Sequence, residues 1–307
     1  MRDILSLYHE ELDPLYGPGE VRTFGEMLFE AFLGWDRIKL LTSRDHTVNQ
    51  SDLLRLHWAL EDLRRHRPIQ HIIGHTDFRG CRIAVTPDVL IPRPETEEIV
   101  NWIATAFHAP HPAPRILDLC TGSGCIAIAL KKAFPGADVT AVDLSPAALA
   151  VARQNAKDNG TEINFVQSDI LATPKEENKE ENKEKNSEEK NFNFQFSIFN
   201  LIVSNPPYVR QSERAAMRRN VLDYEPEMAL FVPAGDPLRF YRAIGAIAAR
   251  SLAPGGLLAL EINQALAEET GALLQQQGFT TDLHTDFRGN ARFITATALH
   301  RPPTGTE

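Results

Sequence analysis

Apolar residues recur at helical spacing through the first 67 positions, as in Phe24, Leu28, Phe29 and Phe32 and again in Leu53, Leu56, Leu60 and Leu63. Asn49 and Ser51 offer caps before the last of these helices and Pro68 closes it, so residues 1–68 read as a small helical domain. Such a domain is either a structural cap or a docking surface for a macromolecular substrate. From 69 to 92 the pattern changes: Ile69–Gly74 and Cys81–Val85 flank a glycine-containing turn and predict a hairpin linker. His71 and His75 are read there as solvated or hydrogen-bonded hairpin residues, because no ligand cluster follows them.

From residue 93 to 301 short β-branched runs alternate with amphipathic stretches, the signature of a parallel sheet covered on both faces. Strands are predicted near 115–119, 138–142, 163–167, 199–204, 256–262, 279–285 and 292–299, and helices near 95–107, 125–134, 145–159, 236–252 and 264–277. The last two strands lack room for a crossover helix between them and should pair antiparallel. The expected fold is α/β, a seven-stranded mostly parallel Rossmann-like sheet. Residues 174–192 break the rhythm: the run 175–190 contains no apolar residue and repeats Glu-Glu-Asn-Lys, so it cannot bury surface to offset chain entropy and is expected to be a disordered charged insertion.

Composition narrows the function classes. The chain has 307 residues, 43% hydrophobic and 24% charged, as ordinary globular proteins do. A net charge of -9 argues against broad phosphate-backbone binding, so no direct nucleic-acid partner is expected. Cys81, Cys120 and Cys125 lack metal-ligand spacing and make a disulfide framework implausible, which fits a reducing cytoplasm and no metal. Met1-Arg2-Asp3-Ile4 is not a basic region followed by an apolar core, so no signal peptide is expected, and no apolar run approaches the roughly 20 residues needed to span a bilayer.

The candidate chemistry lies at strand ends. Asp118-Leu119-Cys120-Thr121-Gly122-Ser123-Gly124 is a strand, a glycine turn and a helix start, suited to close approach of a nucleotide cofactor to backbone N–H groups. Gly122-x-Gly124-x-x-Ala127 also matches the dinucleotide fingerprint in form. Asp143, about 20 residues further on, is placed to accept from both hydroxyls of a ribose, or to cap the helix starting near Ser145. Asp169 is placed either to accept from an adenine amino group, with Ile170 packed on the ring, or to serve a turn. Asn205-Pro206-Pro207-Tyr208 ends the fourth strand of the sheet, where a rigid turn holds an amide side chain fit to grip a flat polar group. Strands one and four should neighbour each other at the switch point, so the glycine loop and Asn205 should face one crevice.

In this order and spacing, these motifs resemble the S-adenosylmethionine-dependent class I methyltransferases that act on planar nitrogens. Ile91-Pro92-Arg93-Pro94-Glu95-Thr96-Glu97, Tyr224-Glu225-Pro226 with Ala229-Leu230, and Arg288-Gly289-Asn290-Ala291-Arg292 narrow the likeness to the HemK/PrmC family of peptide chain release factor glutamine N5-methyltransferases. The resemblance spans nearly the whole chain apart from the charged insertion. It implies methyl transfer from S-adenosyl-L-methionine, with S-adenosyl-L-homocysteine as product, to the glutamine of the Gly-Gly-Gln motif of class I release factors; a monomer in the cytoplasm is expected alongside it, the location from the cysteines and the N-terminus. It places the cofactor at Cys120, Thr121, Gly122, Ser123, Gly124, Asp143, Asp169, Ile170 and Asn205, and the substrate glutamine at Asn205, Pro206, Pro207 and Tyr208, with Tyr208 as a pocket wall. Catalysis falls to Asn205, Pro206 and Tyr208. Many members carry glycine where this chain has Cys120. An adenine N6-methyltransferase of DNA or RNA would use the same Asn-Pro-Pro-Tyr grip, and a non-catalytic cofactor-binding regulator is the remaining alternative.

Overall fold

The computed structural model describes residues 2–42, 46–107, 113–172 and 198–298, and the charged segment expected at 174–192 lies outside them. The chain divides into two compact units, Met1–Thr76 with Met217–Glu225, and Asp77–Ala216 with Pro226–Glu307.

The first unit is helical: α1 Arg2–Tyr16, α2 Pro18–Leu33, α3 Arg37–Thr42, α4 Gln50–Arg64 and α5 Ile69–Ile73. Asn49 caps α4 by accepting from the Asp52 N–H at 2.9 Å. Leu12, Leu28, Phe29, Leu56 and Leu63 fill the core, while the Tyr8 and Tyr16 hydroxyls donate to the Leu56 and Leu63 carbonyls, each at 2.6 Å. The strand expected from Ile69 is instead α5, because Pro68 stands at its N-cap and Gly74 ends it in the left-handed region at φ 90. His71 is therefore a buried helix residue and not a hairpin residue. The hairpin itself is shorter than expected, β1 His75–Phe78 and β2 Cys81–Ala84. Met217–Glu225, although inside the span 93–301 expected to form the α/β domain, belongs to this helical unit. It contains α9 Arg219–Leu222, and the Tyr224 hydroxyl donates to the Arg65 carbonyl at 2.8 Å.

The second unit is built on seven strands, β3 Arg115–Leu119, β4 Asp138–Asp143, β5 Asn164–Gln167, β6 Phe199–Ser204, β9 Leu252–Glu261, β10 Phe279–Thr285 and β11 Ala291–Ala298, in the order β10-β11-β9-β6-β3-β4-β5. A separate pair, β7 Val209–Arg210 and β8 Phe231–Val232, forms a two-stranded sheet. Alternate residues of the central strands serve opposite faces. Ile116, Leu201, Val203 and Ala259 pack under α6 Pro94–Ala106 and α7 Cys125–Ala133. Leu117, Leu119, Ile202, Leu258 and Leu260 pack under α11 Arg239–Ser251 and α12 Ala267–Gln276. Helix α8 Pro146–Asp158 follows β4, and α10 Glu227–Leu230 precedes β8. Burial on both faces explains why these strands are continuous apolar runs and not alternating ones. Strand β11 runs antiparallel to both β10 and β9, while all other neighbours in the sheet are parallel. The chain moves outward from β3 through β4 to β5 and returns to β6 on the other side of β3, so β3 and β6 flank the switch point.

Candidate active site

The register between β3 and β6 pairs Leu119 with Ser204, and the Ser204 hydroxyl donates to the Leu119 carbonyl at 2.6 Å. One residue beyond this tie, Cys120 and Asn205 both face a cavity of about 350 Å³. Cys120 adopts φ 60, a left-handed conformation that costs an L-residue with a side chain, which accounts for glycine being suited to this position. Burial pushes its thiol well up, helped by Asp143 and Asp118.

The loop beyond it turns back on the sheet. Thr121 donates its N–H to the Val142 carbonyl at 3.0 Å and its hydroxyl to Asp118 Oδ2 at 2.6 Å. Asp118 is fully buried, and burial raises its carboxyl to about 7 against the lowering effect of Thr121 and the Ala127 N–H. Gly122 takes φ 54 with open space where a Cβ would sit, as a backbone approached by a ligand requires. Gly124, at φ 80, caps α7, and a Cβ there would meet the Ala152 Cβ at 3.1 Å, so this glycine permits α8 to approach.

Asp143 holds the loop through hydrogen bonds from the Gly122 N–H at 2.8 Å to Oδ2 and from the Ser145 N–H at 2.9 Å to Oδ1. Ser145, and not Asp143, caps α8, by accepting from the Ala148 N–H at 3.1 Å. A carboxylate has about four acceptor sites, so beyond these backbone donors Asp143 keeps acceptor capacity for a hydroxyl of a ligand. Burial raises the Asp143 carboxyl, opposed by its backbone N–H partners. Asp169 accepts from the Leu171 N–H at 2.8 Å, so it does serve a turn, yet it also lines the cavity beside Ile170.

Cys120, Thr121, Gly122, Ser123, Asp143, Asp169, Ile170, Asn205 and Pro207 therefore share one cavity. Gly124 supports it from behind. Pro206 is buried next to Asn205 and is not among the lining residues. Tyr208, expected as a pocket wall, is not among them either: its ring packs on the sheet's α11 side and its hydroxyl donates to Glu261 Oε1 at 3.0 Å. The reason is the turn geometry, since Asn263 Nδ2 holds the Tyr208 carbonyl at 3.1 Å and Glu213 at 2.9 Å.

Behind Asn205 lies a chain of side chains that the sequence reading did not assign. Asn205 Nδ2 donates to Thr96 Oγ1 at 3.2 Å, and Thr96 Oγ1 donates to Glu261 Oε2 at 2.7 Å. Burial raises the Glu261 carboxyl, while Thr96, Tyr208 and Arg292 oppose the shift. Arg292 is held by Asp286 Oδ2 at 3.0 Å, and Asp286 also accepts from the Arg288 and Asn290 N–H groups at 2.9 Å, which gives the Arg-Gly-Asn-Ala-Arg run its turn. Asn155 was missed as well. Its amide donates to the Ser123 and Ala84 carbonyls at 2.9 and 3.0 Å and accepts from the Ala84 N–H at 2.8 Å. Both omissions left a trace in the chain: Asn155 sits at the apolar phase of α8 with Ala148 and Ala152, and Glu261 interrupts the run Leu257–Ile262.

The doubly wound sheet, the glycine loop at its switch point and the carboxylate after the second strand define a class I S-adenosylmethionine-dependent methyltransferase. Residues 116–181 match a family model described as a methyltransferase domain, and residues 16–74 one described as the PrmC N-terminal domain. The release factor glutamine methyltransferase of Flavobacterium psychrophilum is 41% identical over 93% of this chain and 94% of its own length; that of Bacteroides thetaiotaomicron is 36% identical over 96% and 99%. A solved structure of the release factor-specific protein-(glutamine-N5) methyltransferase from Alicyclobacillus acidocaldarius is 29% identical, covering 70% of this chain and 98% of that one, with a TM-score of 0.39. This chain belongs to the release factor glutamine methyltransferase family.

Proposed function

We propose that this chain methylates the side-chain amide nitrogen of the glutamine in the Gly-Gly-Gln motif of class I peptide chain release factors. When bound, S-adenosyl-L-methionine supplies an electrophilic sulfonium methyl group and leaves as S-adenosyl-L-homocysteine. The residues present suit such a cofactor: open backbone at Gly122, remaining acceptor capacity on Asp143, and an apolar Ile170 beside Asp169.

The observation that carries the reading is the bond from Asn205 Nδ2 to Thr96, which commits the donor end of that amide to the protein. Oδ1 then remains to accept from a guest that brings N–H groups. A primary amide nitrogen is a poor nucleophile because its lone pair is delocalised into the carbonyl. Asn205 Oδ1 accepts one of its hydrogens, orients the nitrogen and favours the positive charge that develops on it; the Pro206 carbonyl, the expected second acceptor, belongs to a residue outside the cavity lining. One N–H is exchanged for N–CH3 and its proton passes to solvent. Pro207 lines the pocket, and Tyr208 braces the turn through Glu261.

The test is incubation of the full chain with methyl-labelled cofactor and either a class I release factor or nucleic acid. Label on the release factor glutamine is expected; label in nucleic acid alone would overturn the reading in favour of an adenine exocyclic amine. Asn205→Ala should keep cofactor binding and lose roughly 10²- to 10³-fold in kcat, the usual effect of removing one preorganised partner of the transition state.

A further inference from the structure

Glu261 ends β9 and is 1% exposed. The parallel register that pairs Ser204 with Leu260 carries it alongside Asn205, and Thr96 on α6 reaches both. Both of its oxygens are taken, Oε2 by the Thr96 hydroxyl and Oε1 by the Tyr208 hydroxyl. In both bonds the carboxyl oxygen accepts and the hydroxyl donates. Thr96 has one hydrogen, and because Glu261 receives it, the threonine oxygen offers Asn205 lone pairs alone. The Asn205 amide must then present Nδ2 inward and Oδ1 to its guest.

We infer that Glu261, acting through Thr96, is a positioning residue that fixes which end of the Asn205 amide faces the substrate; the inference rests on the role given to Asn205 above. With the polarity reversed, Asn205 would point N–H groups at the N–H groups of the substrate amide. Two accepting oxygens at this spot, and not merely a side chain that fills it, are what set the direction. Arg292 of the neighbouring strand, anchored on Asp286, opposes the burial that raises the Glu261 carboxyl.

The decisive variants are Glu261→Gln, whose amide can donate to Thr96 and release the constraint, Thr96→Val, which breaks the chain at constant shape, and Thr96→Ser, which restores the hydroxyl. Each is assayed as full chain with cofactor and release factor for kcat and both KM values, with cofactor Kd by calorimetry. E261Q and T96V should lower kcat roughly 10- to 100-fold, as loss of an orienting partner does, with KM and Kd within about threefold of the parent. T96S should stay within about threefold in kcat. Parental kcat in E261Q or T96V overturns the inference, as does T96S falling to the level of T96V, or cofactor affinity falling in step with kcat. If E261Q does not fold, T96V and T96S decide by the same criteria. A parent chain that leaves release factor unmethylated refutes the proposed function and this inference together, whereas active parent and equally active E261Q refute the inference alone.

Discussion

The Asn155 side chain donates to the Ser123 carbonyl at 2.9 Å and clasps both backbone polar groups of Ala84, so one buried amide on α8 fastens the glycine loop to β2. Asn155→Ala leaves the buried Ser123 carbonyl and the half-buried N–H and carbonyl of Ala84 without this partner. Stability should fall by about 2 kcal/mol, given 1–3 kcal/mol for a buried group left unsatisfied and recovery of the half-buried pair by water. Cofactor affinity should fall with it. Urea unfolding and calorimetric titration measure the two effects.

Cys120 stands at φ 60, where a β-branched residue is strained most. Cys120→Val is expected to destabilise by about 2 kcal/mol. Cys120→Gly relieves the backbone strain but frees the unfolded chain, so it should lie within about 1 kcal/mol of the parent and bind cofactor with similar affinity. Paired urea melts of the two variants check the order.

Gly122 and Gly124 share positive φ but not surroundings. Gly124→Ala adds a contact with Ala152 at 3.1 Å to the backbone strain and should cost more stability than Gly122→Ala, which meets open space. Conversely, a methyl group at Gly122 enters the cavity, so that variant should weaken cofactor binding while remaining folded. Thermal melts set against cofactor Kd separate the two.

Asp118 titrates near 7 in the folded chain against about 3.9 unfolded, because burial disfavours its charge. The folded state therefore holds a proton that the unfolded state has lost between those values. Its contribution to stability is complete below about pH 4 and is lost as the pH rises through about 7. Asp118→Asn removes this dependence, so its stability relative to the parent should increase from pH 4 to pH 8. Denaturant midpoints across that range provide the test; a difference independent of pH would refute the assignment.

The helical periodicity of the first unit, the seven strand segments and the motifs at their ends were legible because local pattern reflects burial face and turn chemistry. Ile69–Ile73 was not, since a five-residue apolar run suits strand or helix equally until Pro68 and Gly74 are seen acting as its caps. Tyr208 shows the same limit: the Asn205–Tyr208 motif places it beside the substrate by resemblance, while its bonds to Glu261 and Asn263, from β9 and beyond, are visible only in the fold.

The sequence by itself determined the strand segments, the glycine loop, the strand-end carboxylate of Asp143 and the Asn205 turn, because each depends on residues close together in the chain. Only the tertiary structure decided the direction of the Asn205 amide and the clasp on Ser123. Those rest on hydrogen bonds between Asn205 and Thr96, Thr96 and Glu261, and Asn155 and Ser123, whose partners are far apart in sequence and meet only when sheet register and helix packing bring them together.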